Sequence, residues 1–343
     1  MTSHNQALVM TLIYSRVLIL LLLSITVHCK TYFVHESCSA KDGWNKYMNE
    51  ALSFAKKSAE RLNSDSDTDF AAVYKRIFQA EKSSPNSKYI RGVLLLVPFL
   101  MPACSDHQYT ETVGTIADLT PTTDLKASDI RFHCDNDERW QKKSRGWHDP
   151  VHDMILRASG GTPSCHGQAK GVTYGARAIA PTDASSPRAG QNPARVVISI
   201  CDSAFKSEDG SPLYFSDDLK QQDLEDSPID NLAVILSITI IHELAHAVTG
   251  LEIRDLPNQA SAYTWDNVIN KATDVASKNA ENYAYLALWA GIADAGYTLP
   301  RVRNDLPDVV KKELENDCKE GYLRKYKDIT KRWVSKIEMS FVA

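Results

Sequence analysis

Apolar positions recur along this chain at two spacings, and the spacing separates helix from strand. Across residues 47–62, Tyr47, Met48, Ala51, Leu52, Ala55 and Ala59 return every three or four positions with Lys and Glu between them, which predicts an amphipathic helix. Residues 64–69, Ser-Asp-Ser-Asp-Thr-Asp, break that pattern and supply a side-chain cap for a second helix over residues 70–80. Residues 130–134 alternate as a strand does, and residues 195–201, rich in Val and Ile, form a second β-run. An apolar stretch over 89–101 is ended by Pro102. Gly160, Gly161 and residues 180–193 read as loops, and residues 207–227 as a polar, acidic connection. Downstream, residues 265–279 and 281–293 predict two more helices. Residues 305–331 read as a highly charged helical region, exposed apart from Cys318.

The stretch that organises the rest is 227–250, which reads as a single helix with both ends marked. Ser227 suits the N-cap, Pro228 the first helical position, Asp230 the first turn and Gly250 the stop. Between Leu232 and Ile241 it is apolar on nearly every face, so it belongs inside a protein, and it is too short to span a membrane. Near its end stand His242, Glu243 and His246. Residues i and i+4 share a helix face, so both imidazoles can point at one ion, with Glu243 beside it as a base. This is the HExxH arrangement of zinc peptidases. Polar residues closing so apolar a helix are costly to bury without a partner, which favours a metal. His148 and His152 repeat the i, i+4 spacing, but Pro150 lies between them and no close third ligand follows, so no second site is expected there.

A catalytic zinc takes three protein ligands and keeps one position open. A third histidine six residues past His246 is absent, since Glu252 stands there. Asp255, one short loop beyond the helix, and Glu281, on a later helix, both remain as third ligands, with Asp266 a further alternative. The HELAH segment, an aspartate nine residues after its second histidine, Tyr263-Thr-Trp-Asp266 and Asn279-Ala-Glu-Asn-Tyr283 together resemble the deuterolysin or aspzincin metallopeptidases, over about residues 40–300. That resemblance implies an α+β, helix-dominated zincin-like domain with a small sheet and a central HExxH helix. It implies Zn2+ held by His242, His246 and Asp255, Glu243 as general base for a zinc-activated water, and Tyr263 as a hydroxyl donor to the oxyanion. Asp255 lacks the Gly-Thr that precedes the family's third ligand, and the next tyrosine is eight residues on.

Composition changes the picture only at its edges. The 343 residues are 43% hydrophobic and 24% charged with net charge −4, an ordinary globular balance that excludes nucleic acid as the main partner. Arg16 precedes an apolar run over 17–27, so residues 1–29 are expected to be a signal peptide, leaving a secreted protein without stable membrane association. Six further cysteines, Cys38, Cys104, Cys134, Cys165, Cys201 and Cys318, fit disulfides in an oxidising compartment, with the pairing open. The expected organisation is a metallopeptidase domain over 30–300, helical in its N-terminal half and catalytic in its C-terminal half, with a charged helical extension over 301–343. The expected function is a monomeric zinc endopeptidase acting on protein or peptide substrates. The alternative is a non-catalytic secreted zinc-binding protein or a degenerate peptidase fold serving as a surface antigen or effector.

Overall fold

A computed structural model describes residues 30–64, 66–81, 83, 116–144, 146–157, 161–167, 169–175, 196–206, 223–233, 235–256, 263–300 and 306–325. The expected signal peptide, Cys29, Cys104, the apolar stretch 89–101, the loop 180–193 and most of the 207–227 connection lie outside these residues. The architecture is mixed α+β.

Its main sheet has five strands, β1 (Thr31–Val34), β2 (Thr120–Pro121), β3 (Ile130–His133), β7 (Gly171–Gly175) and β8 (Val196–Ile200), in the order β2-β1-β3-β8-β7. The β2–β1, β1–β3 and β3–β8 pairs are parallel, while β7 runs antiparallel to β8 at the end of the sheet. A three-stranded antiparallel sheet forms from β4 (Gln141–Lys143), β5 (Gly146–Asp149) and β6 (Met154–Arg157). Alternation along β8 explains why its five residues are all buried. Val196, Ile198 and Ile200 face the main core, and Val197 faces a second cluster with Trp140, Met154 and Tyr174.

Helices α1 (Glu36–Ser39), α2 (Trp44–Asn63) and α3 (Thr68–Phe78) fill the first part of the chain. The Asp67 carboxylate caps α3 by accepting from the Phe70 amide at 2.8 Å, as the acidic run predicts. Helix α4 (Leu236–Val248) lies against β7 and β8 and packs with α2 and with α7 (Ala280–Asp294). Every residue of α4 except Thr239 is buried, and every residue of α7 except Asp294. Gly291 of α7 is the point of closest approach to α2, where a Cβ would come within 2.4 Å of the Phe54 ring.

Three expectations need correction. Residues 227–250 are not one helix: a 3-10 turn over Ile229–Leu232 precedes α4, and Ile235 between them is extended (φ −63°, ψ 132°). The turn is held apart by Asp230, whose carboxylate accepts from the Trp265 amide (2.7 Å) and the Tyr285 hydroxyl (2.5 Å). Residues 265–279 divide into α5 (Trp265–Ile269) and α6 (Thr273–Ala276), because the Asn270 side chain turns back on the Asp266 carbonyl and carboxylate. The charged C-terminal helix α8 (Asp308–Glu320) does not stand exposed. Val310, Leu314 and Leu323 are buried, and β10 (Arg324–Lys325) pairs with β9 (Tyr297–Thr298), so residues 306–325 pack on the body.

Cys38 is bonded to Cys134 and Cys165 to Cys201, while Cys318 is a free, half-buried thiol. Among the described residues, no helix is long and apolar enough to cross a membrane.

Phe54 is 2% exposed and has nowhere to move, so overpacking at the α2–α7 contact is costly. Gly291→Val is expected to lower stability by about 1–3 kcal/mol, read as a lower urea midpoint at an unchanged slope.

Candidate metal centre

The C-terminal turn of α4 is fixed at each orphan carbonyl. The Thr249 hydroxyl donates to Ala245 O (2.8 Å), the Lys30 ammonium to Val248 O (2.7 Å), and the Gly250 and Leu251 amides to Ala247 O and His246 O. Gly250 (φ 59°) and Leu251 (φ 69°) are both left-handed, and the chain reverses here as the glycine predicts. The returning segment is then tied to the start of α7. Arg254 and Asn279 form a parallel bridge, with the Arg254 amide on Lys278 O at 2.9 Å and the Ala280 amide on Arg254 O at 3.4 Å. That bridge places Asp255 above the α4 histidines and Glu281 behind them.

The segment Asn279-Ala-Glu-Asn-Tyr283 divides its labour. The Asn279 side chain donates to Asn282 (2.6 Å), Asn282 to Ile77 O (2.7 Å) and Val268 O (3.1 Å), and the Tyr283 hydroxyl to Ser277 O (2.7 Å). Glu281 instead meets His242: its Oε2 lies 2.7 Å from Nδ1. It stands behind a histidine and not among the convergent ligand atoms. Asp266 is absent from that group too, and accepts from Asn270 at 2.8 Å.

Three donor atoms converge. His242 Nε2 and His246 Nε2 are 3.1 Å apart, and Asp255 Oδ1 lies 3.0 and 3.3 Å from them. The partners on the far side of each ring decide what this means. Ile253 O, 2.9 Å from His246 Nδ1, can only accept, so the proton sits on Nδ1 and Nε2 carries a lone pair. The Glu281 carboxylate fixes His242 in the same way. Two imidazole lone pairs and a carboxylate oxygen therefore aim at one point, which only a cation or an extra proton can reconcile. Two imidazoles with one carboxylate and an open side are a donor set suited to zinc; calcium and magnesium take oxygen ligands.

The charges agree with this geometry. Burial opposes the charged form of His242, but the Asp255, Glu281 and Glu243 carboxylates outweigh it and hold its pKa well above 6.5. Burial likewise opposes ionised Asp255, and in the metal-free protein a proton held on the ring nitrogens that face it nevertheless keeps it far below the carboxylate range. Burial raises the Glu243 carboxyl, against the pull of the two histidines. Glu243 turns toward β7, where the Thr173 hydroxyl donates to its Oε2 at 2.6 Å. The Tyr263 ring is 5.8 Å from that of His242 and 41% exposed. Burial and the Asp255, Glu243 and Glu281 charges raise its pKa, so it stays a donor. All these residues line a cleft of about 1140 Å³, together with Gly171, Val172 and Thr173 of β7.

No family model, curated protein or solved structure matches this chain. The structure brings His242, His246, Asp255, Glu243 and Tyr263 to one cleft, and among the described residues His242, His246 and Asp255 form the one metal-capable group of three or more side chains. His148 pairs with Asp153 (3.3 Å) while His152 meets His133 (2.8 Å), so those two histidines do not converge. Sequence reasoning missed Thr173, Gly171 and the Ile253 carbonyl. The first two sit about 70 residues before the motif and carry no motif of their own; the third is a backbone atom.

Two outcomes follow from the donor set. A metal must displace the His242 proton, and a raised pKa means that proton is still held above pH 6.5. Zinc affinity, measured by competition with a chelating dye from pH 6 to 8.5, is therefore expected to rise with pH, its loss on acidification beginning above 6.5. Asp255→Ala is expected to abolish binding of one zinc per chain in elemental analysis, whereas Glu281→Gln weakens affinity by about 10- to 100-fold.

Proposed function

We propose that this chain is a secreted zinc-dependent endopeptidase with a zincin-like fold, similar in kind to the aspzincins that its motif resembles. The observation that carries the reading is the convergence of three lone pairs on one point, with a buried carboxylate one helix position away. His242, His246 and Asp255 would hold the zinc, which would supply Lewis acidity for polarising a carbonyl and for lowering the pKa of water from 15.7 to about 7.

The protein's own residues supply the rest. Glu243 takes the proton from the attacking water and returns it to the leaving amine, and burial raises its pKa, the direction that favours holding that proton between the two steps. Tyr263, kept protonated, donates toward charge developing on the carbonyl oxygen. Strand β7 supports a peptide as the substrate. It ends the sheet, no described strand pairs with its outer edge, and it lines the cleft, so an extended peptide adds to it by backbone hydrogen bonds. A cleft open along a strand accepts a chain at an interior bond, which is endopeptidase geometry. The disulfides suit an oxidising compartment.

The deciding comparison is wild type against Glu243→Gln, each loaded with zinc and offered an unfolded protein substrate. The variant is expected to keep its zinc and lose at least about 100-fold in kcat. Equal behaviour of the two in cleavage, or a wild type that takes up no zinc, would sink the enzymatic reading. Zinc uptake without cleavage by wild type leaves a metal-binding protein instead.

A further inference from the structure

We propose that Thr173 is a positioning residue for Glu243, through which the edge strand β7 sets the orientation of the base. The proposal rests on the endopeptidase reading and adds to it the device that aligns base and substrate.

Glu243 is 5% exposed, and a carboxylate so buried must be held by hydrogen bonds or turn toward whatever positive charge is near. Thr173 provides the hold. Its Oγ1 donates its single proton over the shorter contact, 2.6 Å to Glu243 Oε2, and also lies 3.1 Å from the Glu243 carbonyl oxygen. A β-branched residue in a strand has few χ1 choices, so the hydroxyl is itself fixed. The strand around it is also fixed. Thr173 pairs with Ile198 in the β7–β8 ladder, while Val172 and Tyr174 point to the other face, into the cluster with Trp140 and Val197.

A second residue on the same face makes room for the carboxylate. At Gly171 a Cβ would come within 2.7 Å of Glu243 Oε1, 2.9 Å of its Cγ and 3.1 Å of its Cδ. Residues 171 and 173 thus form a seat for Glu243: one leaves space and the other donates. Oε2 is committed to Thr173, and Oε1 is left for the reacting proton.

Without the hydroxyl, a glutamate with three side-chain torsions is drawn to His242 and His246, whose charges already act on it. A base pulled from its line of approach loses rate without losing substrate. Because the peptide takes its register from the outer edge of β7 and Glu243 takes its orientation from the inner face, one strand aligns both.

The test compares Thr173→Val, which keeps shape and strand preference but removes the donor, with Thr173→Ser, which keeps the donor. Thr173→Val is expected to lower kcat about 10- to 100-fold, the scale of a misplaced reacting group, with KM within about twofold of wild type and zinc content unchanged. Thr173→Ser is expected to recover most of that loss. A Thr173→Val variant with wild-type kcat, or one in which kcat, KM and zinc content fall together, overturns the proposal. A crystal structure of zinc-loaded Thr173→Val supplies a readout independent of turnover: Glu243 is expected in a different rotamer, and an unchanged carboxylate overturns the assignment. Failure of the underlying reading shows elsewhere, as wild-type protein without Glu243-dependent cleavage.

Discussion

The structure depends on one constraint. Helices α4 and α7 are apolar almost all round and lie inside the molecule, yet each carries one polar turn. A buried polar group without a partner costs on the order of 2–7 kcal/mol, so these turns must satisfy one another. They meet at His242 and Glu281, 2.7 Å apart, and most of the remaining polar atoms of both turns are consumed locally. Asn279, Asn282 and Tyr283 are spent on backbone carbonyls and each other, and His246 Nδ1 on Ile253 O. What is left over is the pair of Nε2 lone pairs and the Asp255 oxygen. The metal-capable point is where two ring nitrogens and a carboxylate oxygen are left facing one another.

Much of this was legible in the sequence, for physical reasons particular to each residue. Histidines at i and i+4 face the same way on any helix, so 242 and 246 needed only the apolar run before them to be placed. The acidic run at 64–69 announced its cap, and the Val/Ile run at 196–200 its strand. The break in 227–250 was not legible, because it depends on Asp230 being claimed by Trp265 and Tyr285, residues 35 and 55 positions away. Asp255 and Glu281 were both visible as carboxylates, but the choice between them is made by the Arg254–Asn279 backbone bridge, which no side-chain pattern encodes. The charged face of α8 concealed Val310 and Leu314, whose burial depends on what the helix lies against.

The sheet divides its surfaces among separate tasks. The inner side chains of β8 belong to the main core, and Val197 to the smaller cluster beneath. Strand β7 has the same two faces plus an edge that β8 does not have. Its end position leaves backbone donors and acceptors in the wall of the cleft, while its side chains stay anchored on both sides. An edge that is accessible and also rigid is unusual, since open edges ordinarily fray.

The Cys165–Cys201 bond bears on that rigidity. Cys165 lies a few residues before β7 and Cys201 directly follows β8, at the end of the ladder where Gly171 faces Ile200. The bond links residues 36 apart in sequence, a loop for which chain entropy alone gives about 4 kcal/mol. For the peptidase proposed above, self-digestion would be the standing hazard in concentrated solution, and a frayed edge strand is the segment one copy would most readily present to another. Stapled at its root, β7 would, under the proposed function, serve as a template for foreign chains without itself becoming one of them.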